Sequence, residues 1–228
     1  MLTLPVGAIQ ITSTVWFYMA DEGFAAPPES PTAVYFCTDA ALVYTGQLIL
    51  SPSHSNFSPI LPPLPHLTLH LFPLIKNLEN RIETPAFFAD FGPINLGLTC
   101  SFCKQLAELV AAAQKASKVV LYYARGPHHQ ANSAVLLCAY QIFVLGLSAE
   151  RAYAPFFGPG APCFFPFRDA AFGLNTFPLF VLDCAMAMAK AQALRHFHYA
   201  TFSPKEFKVR LMCAVVEVTA TRLLNVFA

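Results

Sequence analysis

The stretch Val119–Leu137, VVLYYARGPHHQANSAVLL, decides the fold. Val119–Tyr123 is an unbroken run of β-formers, as expected of a central strand buried on both faces. Arg125-Gly126-Pro127 is a sharp turn. A helix then opens near Gln130 and runs to Gly146, a natural C-terminal stop. Upstream, Leu98, Phe102, Leu106 and Leu109 fall at i, i+4, i+8 and i+11, one apolar stripe. Pro93 suits the first turn of that helix and Lys115–Lys118 closes it. Ala8–Tyr18 (AIQITSTVWFY) reads as a strand, Asp21–Pro31 as a loop and Ala33–Cys37 as a second short strand. Downstream, Ser148 can cap a short helix through Tyr153, and Phe156–Phe165 is a Gly/Pro-rich loop. Thr176 can cap, and Pro178 start, a last helix to about His196. Strands followed by helix, strand, loop and helix predict an α/β domain.

The 228 residues suit one large domain with appendages. Fourteen Lys+Arg against 13 Asp+Glu give a net charge of +1, which offers no electrostatic case for nucleic acid as a partner. Charged residues are 12% and hydrophobic residues 56%, so membrane spans must be considered. The longest charge-free stretch, Ala40–Ile75, carries prolines at 52, 59, 62, 63, 65 and 73, too much broken backbone for a bilayer helix. Ala134–Leu147 falls short of the ~20 residues a span needs and reads as a buried helix. The expectation is no membrane, and no secretory signal is evident. Seven cysteines in irregular spacing argue for reduced intracellular thiols. Residues 47–86, built mostly from Ser, Pro, Leu, His and Phe, keep neither a helical nor a strand period and read as an insertion without regular structure.

A loop between a buried strand and a helix N-terminus is an anion site by construction, because free N–H groups and the helix dipole both face it. Cysteine-dependent phosphate hydrolysis adds a thiolate at the start of such a loop and an Arg six residues later. The corresponding stretch here, Tyr122–Gln130, holds no cysteine. Six residues after Cys37, Cys100, Cys103, Cys138, Cys163, Cys184 and Cys213 stand Val43, Leu106, Leu109, Val144, Asp169, Lys190 and Thr219, none of them Arg. Cys163 has Arg168 five residues on, but Phe, Phe, Pro and Phe fill the gap. The chain is therefore predicted inactive alone, with no catalytic residue assigned.

What remains is a vestigial phosphate loop of Tyr123, Arg125, Gly126, His128, His129 and Gln130. His128-His129 at the helix start either meets phosphate or is a solvated loop. Arg168-Asp169 either closes a loop as an ion pair or lines a groove. Cys100 and Cys103 have the spacing of half a zinc site or a redox pair, but core packing within the helical pattern is favoured over both. His66 and His70 share i,i+4 spacing inside the Pro-rich stretch, where a helix to hold a metal is not expected. Gly158-Pro-Gly160 is a turn signal. No metal and no cofactor are expected.

Several strings together resemble one family. They are VYFCTDAALVY (Val34–Tyr44), FFADFGPINLGLTCSFCKQL (Phe87–Leu106), HQANSAVLLCAYQIFVLGLSAERAY (His129–Tyr153), FFPFRDAAFG (Phe164–Gly173), FPLFVLDCAMAMAKA (Phe177–Ala191) and FHYATFSPKEF (Phe197–Phe207). They are similar, in order, to the N-terminal domain of the cell-division-cycle-fourteen dual-specificity protein phosphatases, which reverse cyclin-dependent-kinase phosphorylation around mitotic exit. The resemblance implies a protein-tyrosine-phosphatase-like domain over 1–46 and 87–207, a central mixed sheet flanked by helices with the vestigial loop at its edge. Such a domain does no chemistry. It helps a following catalytic domain, which carries the nucleophilic Cys, the phosphate-binding Arg and the general-acid Asp, to select phosphoproteins. The partners implied are that catalytic domain and phosphoprotein substrates, in the nucleus or cytoplasm.

Two departures stand out. Residues 47–86 interrupt the family pattern, and the match stops after Phe207, leaving 208–228 as a divergent tail. The pyrimidine-rich codons of Ser, Pro, Leu, Phe and His fit a retained intron at 47–86, with read-through after 207 truncating the chain before the catalytic domain. A genuine insertion and tail is the alternative. Two further functions compete with the substrate-selecting half: a stand-alone pseudophosphatase binding phosphopeptides or a protein partner, and, well behind, a small-molecule enzyme using Cys100 and Cys103. A half-enzyme is expected to leave a large apolar face bare where its partner docks.

Overall fold

The computed structural model describes residues 4–21, 23–24, 32–37, 89–170, 172–204 and 206–207. Among the described residues four strands form one sheet: β1 (Ile9–Gln10), β2 (Val15–Ala20), β3 (Ala33–Cys37) and β4 (Val119–Arg125), in the order β1-β2-β4-β3. β1 runs antiparallel to β2, while β4 lies parallel between β2 and β3, Val15 facing Val120 and Ala33 facing Val119. Among the described residues four α-helices accompany it: α1 (Leu96–Lys115), α2 (Pro127–Phe143), α3 (Ala149–Tyr153) and α4 (Val181–Ala193). The mixed sheet with helices packed on it is the α/β architecture that the alternation of strand and helix signals predicts.

The core lies where Val120, Tyr122 and Ala124 of β4 meet Phe17 of β2, Phe102 and Leu106 of α1 and the length of α2. Leu121, on the opposite face of β4, is equally closed to solvent, as a central strand requires. Phe17 packs against Tyr122 at 5.8 Å and edge-on against Phe156 at 6.1 Å. Each such buried ring contributes roughly 2 kcal/mol by removal of apolar area from water. α2 is buried at every position from Ala131 to Phe143, so that stretch turns no face to solvent. Inside it, Gln141 Nε2 donates to the Ala152 carbonyl (2.9 Å), and Ser133 Oγ shares a 2.9 Å hydrogen bond with the Tyr122 hydroxyl. These bonds satisfy amide and hydroxyl groups that would otherwise be costly to bury.

Among the described residues one helix, α1, is long and apolar enough to cross a membrane. Its stripe of Phe102, Leu106, Leu109 and Ala113 is buried within the domain, the place of a core helix.

Several boundaries differ from those read in the sequence. The single strand over Ala8–Tyr18 is broken at 11–14, where Thr12 Oγ1 accepts from the N–H groups of Thr14 (3.2 Å) and Val15 (3.0 Å). A hydroxyl that captures nearby N–H groups competes with the ladder and turns the chain. α1 starts at Leu96 and not around Pro93, because the Asn95 side chain accepts from Leu98 N–H and caps the helix there. α2 opens at Pro127, three residues before Gln130. Its N-cap is Gly126, at φ +72°, a conformation that favours glycine. α4 starts at Val181 and not at Pro178, since Leu179 is held in a bridge to Phe167 and Asp183 Oδ2 accepts from Phe180 N–H at 2.9 Å.

The candidate site at the β4–α2 junction

β4 stays in register with β2 as far as Arg125, opposite Ala20, and α2 begins at Pro127. One residue, Gly126, joins them. Helix formation from Pro127 suits the fixed φ of proline, whose missing N–H would have no partner in the first turn. It also removes one of the donors that a helix N-terminus offers an anion.

The side chains expected to form the phosphate loop are occupied in different directions. Arg125 lies over the Tyr123 ring, 5.5 Å from its centroid, and its Nε donates to the Phe24 carbonyl at 3.1 Å. Phe24 in turn packs edge-on against Tyr123 at 5.2 Å. Gln130 Nε2 reaches the Ala20 carbonyl at 3.4 Å, and its N–H closes the first α2 turn on Gly126. His128 is stacked on Phe91 at 4.0 Å and 11°, with Phe165 edge-on at 5.9 Å. His129 is half-buried beside Gly126.

Arg168 and Asp169 lie on a separate loop. Arg168 donates to the carbonyls of Gly173 (3.0 Å) and Asp169 (3.4 Å), tying that loop to itself. Phe91 brings the two regions together, because its ring also packs against Phe167 at 5.1 Å.

The residues that hold this arrangement were not singled out in the sequence. Asn132, buried one turn into α2, donates from Nδ2 to the carbonyls of Phe91 (2.7 Å) and His128 (3.2 Å), while its Oδ1 accepts from Ile94 N–H (3.1 Å). The strap Phe91–Ile94 is thereby fastened across the start of α2. At Gly92, φ +153°, an added Cβ would run into the Asn132 amide and come within 3.0 Å of the Phe167 ring. The only signal in the sequence was an amide in the interior of an apolar helix, where nothing but a hydrogen-bonding duty keeps one. Beyond the strap, Pro93, Ile94, Leu96, Val135, Leu179 and Met188 help line an apolar cleft of about 270 Å³ between α1 and α4, with Asp183 and Cys184 on its wall.

None of the described buried thiols is prepared as a nucleophile. Burial pushes Cys100 and Cys138 up to about 12 and Cys184 up to about 11, and holds Cys103 well above the ordinary thiol value. A thiol kept neutral in an apolar setting is structural. Cys100 and Cys103 sit fully buried in the α1 core face, in line with the packing reading of that pair. Among the described residues no group of three or more His, Cys, Asp and Glu could hold a metal. His66 and His70 lie outside the described residues.

A family model described as "Dual specificity protein phosphatase, N-terminal half" matches residues 69–191, from within the Pro-rich stretch to the last turn of α4. The chain is 32% identical over 143 residues to the mouse dual specificity protein phosphatase CDC14A, covering 62% of this chain and 23% of that one. It is 34% identical over 133 residues to the human CDC14A (58% and 22%). It is 30% identical over 116 residues to the tyrosine-protein phosphatase CDC14 of Saccharomyces cerevisiae (50% and 21%). The match thus spans less than a quarter of each of these relatives.

Proposed function

The chain belongs to the family of N-terminal halves of dual specificity protein phosphatases, and from that membership we propose that it is a non-catalytic half that helps a catalytic phosphatase domain choose its phosphoproteins. The observation that carries this reading is the β4–α2 junction. Where a cysteine phosphatase would wrap a phosphate over several residues, a single glycine joins strand to helix, with no thiol beside it. The competing role, a stand-alone binder of phosphopeptides through the same loop, has less support. Pro127 offers no N–H, and the Arg125 guanidinium is engaged by Tyr123 and Phe24. The nucleus or cytoplasm as the compartment is part of the same proposal.

The test is a reconstitution. The chain alone, given p-nitrophenyl phosphate and a panel of Ser/Thr and Tyr phosphopeptides, shows no turnover. Added to the separately expressed catalytic half of mouse CDC14A, it changes the ranking of kcat/KM across phosphoprotein substrates. Turnover by the chain alone, or an unchanged ranking in its presence, overturns the proposal.

A further inference from the structure

We propose that the apolar cleft between α1 and α4 binds a small apolar amine, its hydrocarbon seated among Ile94, Leu96, Val135 and Met188 and its ammonium paired with the Asp183 carboxylate. The site uses neither the β4–α2 junction nor a second domain, so it stands or falls independently of the phosphatase reading.

The lining offers little but hydrocarbon. Thr99 and Val135 are buried at the inner end of the cleft, while Asp183 and Ala187 are exposed at its mouth. The Thr99 hydroxyl already donates to the carbonyls of Ile94 (3.3 Å) and Asn95 (3.0 Å). Burial pushes the Cys184 thiol up to about 11, so it adds no charge at neutral pH. An apolar hollow with very few placed polar groups is the common form of a small-molecule site. At about 270 Å³ it lies just below the ~300 Å³ where pockets for drug-sized ligands begin, which suits a single ring or a short chain. The unbranched thioether of Met188 can settle against either.

Asp183 sets the charge of the ligand. Its Oδ2 accepts from the Phe180 N–H at 2.9 Å, which leaves Oδ1 to a donor from outside. No residue of the lining is Lys, Arg or His, so an anion would meet the carboxylate with no opposite charge beside it. The positive end of α4 lies at the same wall, and Asp183, in the first turn, already answers it. A neutral ligand would gain the apolar contact alone. An ammonium gains that contact and a charge-assisted hydrogen bond.

A ligand in the cleft touches two segments that meet elsewhere. Ile94 belongs to the strap that Asn132 fastens, through its own N–H. Leu179 exchanges hydrogen bonds with Phe167 at 2.8 and 3.0 Å, closing a band of residues 165–180 whose Phe172, Leu174 and Phe177 are largely exposed. That band adjoins the β4–α2 junction, since Phe165 meets His128 edge-on. Strap and band already touch where Phe91 packs on Phe167, and an occupant of the cleft would tie them a second time.

The experiment titrates the whole chain, with methyl-labelled Ile, Leu, Val and Met, with phenethylamine, 2-phenylethanol and phenylacetate at neutral pH. We expect saturable NMR shifts at Ile94, Val135 and Met188 with phenethylamine at millimolar concentration. It should bind about fivefold tighter than 2-phenylethanol, the worth of one exposed ion pair, and phenylacetate should bind weakest. Asp183→Asn, whose amide oxygen can still cap α4, should bind phenethylamine no better than 2-phenylethanol. Ala187→Phe, at the mouth, should abolish binding of both. In the wild type, phenethylamine should slow hydrogen exchange at the N–H groups of Ile94 and Leu179, a readout that does not depend on any variant folding. No saturable shift, or shifts that map outside the cleft, overturn the site. Equal binding of 2-phenylethanol or phenylacetate by the wild type, or an unchanged preference in Asp183→Asn, overturns the amine as its ligand.

Discussion

The β4–α2 junction and the 165–180 band sit side by side and are built in opposite ways. At the junction the side chains are engaged: Arg125 on Phe24 and Tyr123, Gln130 on Ala20, His128 between Phe91 and Phe165, and Asn132 on three backbone groups. In the band the backbone is closed while the side chains are bare. Polar residues at the strand-to-helix junction are here spent on holding the fold. Apolar residues of the band, Phe172, Leu174 and Phe177 among them, stay largely exposed to solvent. The contrast sets a junction whose side chains are engaged beside a band whose side chains are exposed.

The largest effect that would test the sealed character of the interior is alkaline unfolding. The folded-state pKa values of Cys100 and Cys138 stand near 12 against an ordinary 9.0. The folded chain keeps these protons while the unfolded chain releases them above pH 9. Their contribution is therefore complete below pH 9 and drains away as pH climbs towards 12. Tryptophan fluorescence should report loss of the fold in that window. At pH 8.5, iodoacetamide should modify exposed Cys163 and spare Cys100, Cys103 and Cys138; rapid labelling of these three would break the argument.

Next comes the strap. Asn132→Leu strands the Phe91 carbonyl and the Ile94 N–H, and should cost ~3 kcal/mol in urea unfolding. Gly92→Ala, which forces a Cβ against Asn132 and Phe167 at a positive φ, should cost ~2 kcal/mol. Tyr122→Phe, which takes one hydroxyl from Ser133, should cost ~1 kcal/mol. At the small end, the Leu174→Asp, Phe177→Asp chain should stay within about 0.5 kcal/mol of wild type and be more soluble. A large loss there would mean that the band is packed on the fold after all, and the contrast between the two regions would fail.

Much of the scaffold was legible because its signals are local. The stripe of Leu98, Phe102, Leu106 and Leu109 and the run Val119–Tyr123 declare their periods without help from the rest of the chain. The misread boundaries depend on a partner distant in sequence, on local side-chain captures or on the Gly126-Pro127 turn. The Phe167–Leu179 bridge delays α4, and Thr12 breaks a strand whose residues all favour extension. The candidate site was half legible. That no cysteine is followed by Arg six residues on could be counted from the sequence, whereas the single-residue junction could not, since Arg125-Gly126-Pro127 reads equally well as a longer loop. The band was hidden for a different reason: Phe172, Leu174 and Phe177 are as apolar as core residues, and composition does not distinguish a side chain that is covered from one left bare.

The parallel pairing of β2 with β4 also sets the order in which the protein can come together during synthesis. The hydrogen bond from Gln114 Nε2 to Thr14 Oγ1 spans 100 positions, and the one from Gln130 to Ala20 spans 110. At ordinary elongation rates, β2 leaves the ribosome roughly 5–20 s before its central partner. During that time the β1–β2 hairpin is the one part of the sheet that can close, because its contacts are local. Val15 and Phe17, among the most deeply buried residues of the finished core, wait in the open. Nascent chains of this protein should therefore draw on chaperones that bind short apolar segments, and the demand should end as β4 emerges.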